Sequence, residues 1–206
     1  MDNYLMLNNK KVFLTADQID EIKRCFNIGN VPLKNISVGN VAKIGDLDFI
    51  VLEHKEDTAL VLLKNFWKIS KFNDGSNDYS ESSIRKDLNT CFYNNLSSIV
   101  GRENIIKHTV DLVADDGRVD YKSCEDYISL LTCDMYRRYV YILDRHKTDR
   151  WWWLATAYST KSNGCHRTVR CVHDGGALNY YDVCSCALGV RPFCILKSNI
   201  FVSEGV

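Results

Sequence analysis

The sequence predicts an α+β domain without the regular strand–helix alternation of a doubly wound sheet. Three observations predict it. Apolar runs of strand length recur between Gly, Asn and Asp turns. Several segments place a Ser or Thr cap before apolar residues at helical spacing. Strands and helices come in clusters, not in strict turn. At 206 residues the chain suits one domain with a small appendage. A chain of that size buries roughly 70% of its unfolded surface and needs no staple.

The first elements form a small unit. "YLMLNNKKVFL" reads as two short strands around an Asn-Asn turn. In "TADQIDEIKRCF", Thr15 is placed as N-cap and Gln18 completes a capping box. Leu14 and Ile19 are spaced for a hydrophobic staple, and Ile19, Ile22 and Phe26 share one helical face. "NIGNVPLKNISVGN" reads as a Gly/Pro/Asn-rich linker. The expected division is therefore a strand–helix docking or oligomerisation unit over 1–38 and a main domain over 39–206.

From Val41 the pattern turns to strands. "VAKIGDLDFIVLEH" and "TALVLLKNFW" flank the turn "KED" as a hairpin, and "KFNDGSNDYSES" follows as a polar loop. Ser82 or Ser83 caps a helix whose Ile84, Leu88, Cys91 and Phe92 fall on one buried face, with a second short helix over 96–100. "HTVDLVADDGRVD" holds a strand and an Asp-Gly turn, whose paired carboxylates read as turn residues. "DYISLLT" is strand-like, and Thr132 caps a helix carrying Met135, Tyr136, Tyr139 and Leu143. "WWWLAT" opens the last third. "HRTVRCVH", the turn "DGG" and "ALNYYDV" form a hairpin, and "GVRPFCILK" closes the chain as a buried strand.

Charge narrows the function classes. Lys plus Arg equals Asp plus Glu at 26 each, so the basic surplus of a phosphate-held nucleic-acid binder is missing. No apolar run reaches the length of a membrane span. The start "MDNYLMLNNKK" lacks a signal-peptide pattern, which predicts synthesis in a reducing cytoplasm and mainly free thiols.

The stretch "GCHRTVRCVHDGGALNYYDVCSC", from Gly164 to Cys186, holds four of the nine cysteines and two of the five histidines. Cys165, Cys171, His173, Cys184, Cys186 and Cys194 could offer zinc ligands. Their spacings, C-x5-C-x-H and C-x-C, are not those of a zinc knuckle. Nucleophile-elbow, P-loop, dinucleotide and HExxH motifs are absent. Cys25, Cys91, Cys124, Cys133 and Cys194 read as small buried hydrophobes. The expectation is no metal, no cofactor and no catalytic residue. A zinc-stabilised or cysteine-dependent enzyme is the alternative. Composition adds one hint. Lys, Glu, Gln, Met and Trp make up 30 of 206 residues, yet the 35 residues from Ser162 to Leu196 contain none, against a proportional share of about five.

"WWWLATAYS", the hairpin after it and the closing "GVRPF" resemble the C-terminal half of a domain of unknown function common in gut bacteria and their phages. "IGDLDFIVLEH", "YSESSIRKDLNTCFYNNL" and "ISLLTCDMYRRY" are similar to its upstream pieces. The resemblance spans about residues 38–202, and Ala155-Thr156 departs from the commoner Arg-Ser. Its ending is also similar to the C-type-lectin-like variable proteins diversified by retroelements, phage receptor-binding proteins among them. There, adenine miscopying scatters Asn codons over residue types that exclude Lys, Glu, Gln, Met and Trp.

The resemblance implies a C-type-lectin-like binding protein, phage-encoded or virion-associated. Its variable segment would span about 156–188, and its partner would be a protein or cell-surface ligand. The implied ligand face comprises Tyr158, Ser159, Asn163, His166, Arg167, Arg170, His173, Asp174, Asn179, Tyr180, Tyr181, Asp182 and Ser185. The implied frame is Trp151–Trp153, Leu154, Val169, Val172, Val183, Val190 and Phe193, with Arg191 holding an internal carboxylate or carbonyls. Lectin calcium motifs are absent. A formylglycine-generating-enzyme-like frame is the enzymatic alternative, but the sequence shows no matching cysteine pair.

Overall fold

The structure, a computed structural model, describes residues 4–7, 10–25 and 30–205. Strands β1 (Tyr4–Leu7) and β2 (Lys10–Phe13) pair antiparallel, and helix α1 (Ala16–Cys25) follows. The Asn-Asn turn and Phe26 lie outside the described residues. The capping box forms as its spacing predicts. Thr15 N–H donates to Gln18 Oε1 at 3.0 Å, and Gln18 N–H donates to Thr15 Oγ1 at 3.3 Å. Met6 and Phe13 stand in solvent.

The stretch expected as a linker belongs to the main body. Strand β3 (Val31–Pro32) pairs with the last strand of the chain, and a 3-10 turn over Leu33–Asn35 follows it. Leu33 and Ile36 are buried in the core, because a solvated linker would leave that apolar surface in water.

β4 (Val41–Ile44), β5 (Leu47–Lys55) and β6 (Thr58–Leu63) form a meander. Where the sequence predicts one hairpin the structure has two, since Gly45 at φ +59° supplies a second tight turn. These strands serve two cores. Phe49, Val51 and Val61 enter one cluster, while Ile50, Leu52, Leu60 and Leu62 enter the other. Burial of both faces makes their sequence a continuous apolar run.

β7 (Lys68–Ile69) precedes the loop over 70–82. That loop is less polar in role than its composition suggests, because it buries Phe72, Asn77 and Tyr79. Ser82 Oγ accepts the Arg85 N–H at 3.2 Å and caps α2 (Ser83–Asp87). A π turn over Leu88–Phe92 and α3 (Tyr93–Val100) continue it as one helical run, not two helices. Its buried residues Ile84, Leu88, Phe92 and Leu96 step by four. At about 100° per residue each step would overshoot a turn by about 40°. The wider π turn absorbs that drift and leaves Cys91 exposed, against its expected burial.

β8 (Ile105–Ile106), β9 (His108–Val110), β10 (Cys124–Asp126) and β11 (Ile128–Ser129) lead to α4 (Cys133–Leu143). Thr132 caps α4 as predicted, and Tyr136, Tyr139 and Leu143 are buried. β12 (Trp152–Ala157), β13 (Thr168–Val172), β14 (Leu178–Asp182), β15 (Gly189–Val190), β16 (Phe193–Lys197) and β17 (Phe201–Glu204) complete the chain.

The larger sheet runs β11-β16-β6-β5-β4-β17-β3, with β8 also on β16; the smaller runs β14-β13-β12-β15-β7. The chain is α+β, most of it in sheets with a few helices. β12 stitches the two cores together: Trp153 and Ala155 enter one, Trp152 and Leu154 the other.

Candidate functional site

The smaller sheet grades from buried to exposed strands. All six residues of β12 are buried; β13 has Thr168 and Arg170 half-buried and Val169, Cys171 and Val172 buried. β14 is the last strand of its sheet, with Tyr180, Tyr181 and Asp182 exposed. Its register against β13 is regular, from Thr168↔Asp182 to Val172↔Leu178. Val169, Cys171 and Val183 beneath it are fully buried. The hairpin, its turn and its buried anchors form where the alternation in "HRTVRCVH" and "ALNYYDV" places them.

Alternation also divides the expected ligand face, because successive strand residues point to opposite sides. On one side Arg170 lies opposite Tyr180. The Tyr158 and Tyr180 rings are 5.0 Å apart, and the Arg170 guanidinium lies 4.8 Å from the Tyr158 ring centroid. On the other side Tyr181 meets Trp151 edge-to-face at 5.8 Å, and His173 lies 4.7 Å from Trp151. Trp151 is therefore a half-buried rim residue, unlike the buried Trp152 and Trp153.

Arg170 does not reach into solvent freely. Its Nε donates to Asp115 Oδ2 at 2.9 Å, and Arg137 Nη2 donates to Asp115 Oδ1 at 2.7 Å. Burial pushes the Asp115 carboxyl up, but hydrogen bonds and charge from Arg137 and Arg170 outweigh it and hold it below the usual range. Asp115 is thus an ion-pair hub, more than a turn residue. At the outer end Arg167 donates to both Asp182 oxygens at 3.1 Å and to Cys184 Sγ at 3.3 Å.

The loop from Tyr158 to Thr168 is held from inside by a residue that no sequence motif marks. Asn77 is fully buried. Its Nδ2 donates to the carbonyls of Ser159 and Thr168 at 2.8 Å and of Cys165 at 3.3 Å. Its N–H donates to His166 O at 2.8 Å, and Tyr121 Oη donates to its Oδ1 at 2.5 Å. Ser159 belongs to this inner network, a correction to its place on the ligand face. It is 2% exposed, its carbonyl accepts from Asn77, and its hydroxyl donates to Asp116 Oδ2 at 2.6 Å. Ser162 and Thr160 both donate to Asp120, which lowers that carboxyl's pKa.

Of the remaining expected face residues, Asn163, His166 and Asp174 are exposed, and Asn179 and Ser185 half-buried. Asn163 also leans inward, donating to Ser159 Oγ at 3.1 Å. Asn179 Oδ1 accepts the Tyr180 N–H at 2.8 Å.

The thiols are spread over the fold. Cys133 and Cys194 are buried as expected, Cys124 half-buried, and the side chain of Cys25 lies outside the described part. Burial pushes the Cys133 and Cys171 thiols up to about 12 and Cys194 higher still. Such groups stay protonated, whereas a thiolate is the metal ligand and nucleophile. Among the described residues no group of three or more His, Cys, Asp or Glu is arranged to hold a metal ion. No helix among them is long and apolar enough to cross a membrane.

A family model, a domain of unknown function (DUF6273), matches residues 56–198. The chain belongs to that family. No curated protein and no solved structure matches it. The DUF6273 match covers β6 to β16 and the whole β13–β14 hairpin. It omits β3, β4, β5 and β17, although all four strands lie in the larger sheet. The folded unit around this DUF6273 segment thus extends past both of its ends.

Proposed function

We propose that the chain is a non-enzymatic binding protein with a C-type-lectin-like domain, whose β13–β14 hairpin and 158–168 loop form an adaptable recognition surface. One observation carries the reading. Tyr180, Tyr181 and Asp182 of β14 are exposed on an edge strand, while Val169 and Cys171 on the neighbouring β13, and Val183, are fully buried. Exposed positions can then change without disturbing the core. Tyr158, Tyr180, Tyr181 and Trp151 supply large area at low entropic cost, and His166, Asp174 and Asn179 supply polar variety.

The two sides of the hairpin act as separate patches. The Tyr158–Arg170–Tyr180 side engages a partner by stacking and cation–π contact, and the Trp151–His173–Tyr181 side forms an aromatic corner. The lack of Lys, Glu, Gln, Met and Trp from Ser162 to Leu196 supports retroelement diversification of this surface in a phage or bacterial host. The β1–β2 and α1 unit, with Met6 and Phe13 exposed, attaches the domain to a larger particle or to another copy.

The test is a library randomised at His166, Arg167, Asn179, Tyr180, Tyr181 and Asp182, sorted for folding and then for protein and glycan binding. Most members should fold, and selected members should gain distinct ligands. Widespread unfolding would sink the proposal. Diversification has its own test: a near-repeat of the tail DNA differing only at adenines, beside a reverse transcriptase gene.

A further inference from the structure

Cys184 and Cys186 follow β14 and take no part in the recognition surface. Cys184 is half-buried and Cys186 exposed, whereas Cys133, Cys171 and Cys194 are sealed in the cores. Arg167 Nη2 donates to Cys184 Sγ at 3.3 Å, while the same guanidinium holds Asp182. The Cys184 thiol donates to Asp74 O at 3.2 Å, and Cys186 Sγ lies 3.7 Å from Cys184 O. A second cation stands near. The hydrogen bond and charge of Asp74 first, then the charges of Cys186 and Cys184, raise the Lys71 pKa, so that ammonium is within electrostatic reach of both sulfurs. Cations beside a cysteine favour its thiolate, the nucleophilic form.

The other accessible thiols lack one part of this arrangement. Cys124 also lies beside a guanidinium, that of Arg85, but burial first and then the Asp126 charge push its thiol up to about 11. Cys91 is exposed, with its sulfur 3.7 Å from the Thr90 hydroxyl, and the cysteine nearest to it in sequence is Cys124. Cys184 and Cys186 are separated by Ser185 alone. A step of that length spans about 7 Å at full extension, the upper limit between the Cα atoms of a disulfide. The chain turns at 183–184 and bends at Cys186, which shortens the span.

We propose that Cys184 and Cys186 form an oxidation site for hydroperoxides, with Cys184 as the attacking thiol, Arg167 as the residue that activates it and Cys186 as the resolving thiol. Cys184 Sγ attacks one oxygen of the hydroperoxide. The S–O bond forms, the O–O bond breaks, and the other oxygen leaves as alcohol or water with the thiol's proton. Cys186 Sγ then attacks the Cys184 sulfenic acid. The S–S bond forms, the S–O bond breaks, and the hydroxyl leaves as water with the Cys186 proton. Each thiol has given one electron to the peroxide, and an external dithiol returns them by exchange. A disulfide sulfur has no hydrogen to donate, so Asp74 O loses its Cys184 partner. Asp74 belongs to the same loop as Asn77, which holds the 158–168 loop from inside. Oxidation thus loosens a support beneath that loop.

Peptide mass spectrometry of the full chain after brief treatment with equimolar hydrogen peroxide tests it. In the native chain the peptide holding Cys184 and Cys186 should lose one hydrogen from each thiol and regain both with dithiothreitol. Cys186→Ser, treated in the presence of dimedone, should carry the adduct on Cys184. Arg167→Gln should slow the reaction of Cys184 about tenfold, and Arg167→Lys should restore much of the rate. Amide exchange at Asn77 should speed on oxidation and recover on reduction. Oxidation that begins at Cys91 or Cys165 overturns the site. So does a disulfide from Cys184 to any cysteine other than Cys186, or an Arg167→Gln rate equal to the native one.

Discussion

β12 and β14 belong to one sheet, two strands apart, and obey opposite rules. β12 buries all six of its side chains, and Trp153 Nε1 also donates to Ser70 O at 2.8 Å. β14 exposes its outer half and, among the described residues, has β13 as its single sheet neighbour. Strands sit about 4.8 Å apart, so tolerance of substitution changes over about 10 Å. The frame and the surface it presents need not be separate modules.

The sharpest way to break this contrast is to empty the frame. Trp153→Ala should cost about 3–5 kcal/mol in chemical denaturation. Next comes Asn77→Ala, which strands three carbonyls under the loop. It should cost about 2–3 kcal/mol and speed amide hydrogen exchange across 159–168 while leaving β5 and β6 protected.

Asp115→Asn is expected to cost about 1 kcal/mol and to release Arg170 from its hub. Its pH signature has a definite sign. The folded pKa lies below the ordinary Asp value of 3.8, so the native state binds fewer protons than the unfolded one. The contribution is full above the unfolded pKa and fades as pH falls through the folded value. The difference in stability between native and Asp115→Asn protein should therefore shrink on acidification.

Tyr180→Ala and Tyr181→Ala sit at the small end, each within about 0.5 kcal/mol of the native stability. If either cost as much as Asn77→Ala, β14 would be frame, and the contrast between the two strands would collapse.

Local chemistry made part of this architecture readable in the sequence. The Thr15, Ser82 and Thr132 caps bond to N–H groups three residues on. The β13–β14 hairpin follows from alternation around a turn. What escaped depends on distance along the chain. Asn77 holds carbonyls 82, 88 and 91 residues away, so nothing near it announces its role. β3 and β17 are short strands from opposite ends of the main body that gain their meaning by pairing with each other. Ser159 resembles its exposed neighbours in type, and its tertiary contacts, the carbonyl to Asn77 and the hydroxyl to Asp116, separate it from them. The same limit explains why one expected face became two: side-chain type names candidates, and strand register sorts them.

The Asn179 side chain has a consequence for behaviour in concentrated solution. The Val183–Arg167 and His173–Ala177 backbone bonds set the ladder so that the Tyr180 N–H faces away from β13, along the bare margin of the sheet. Asn179 caps that donor with its own carbonyl oxygen. A foreign strand seeking to zip onto this margin meets a hydrogen already taken, which blunts the template for aggregation. A hairpin can thus hold its aromatic rings out in solvent and still discourage fibre growth through its backbone.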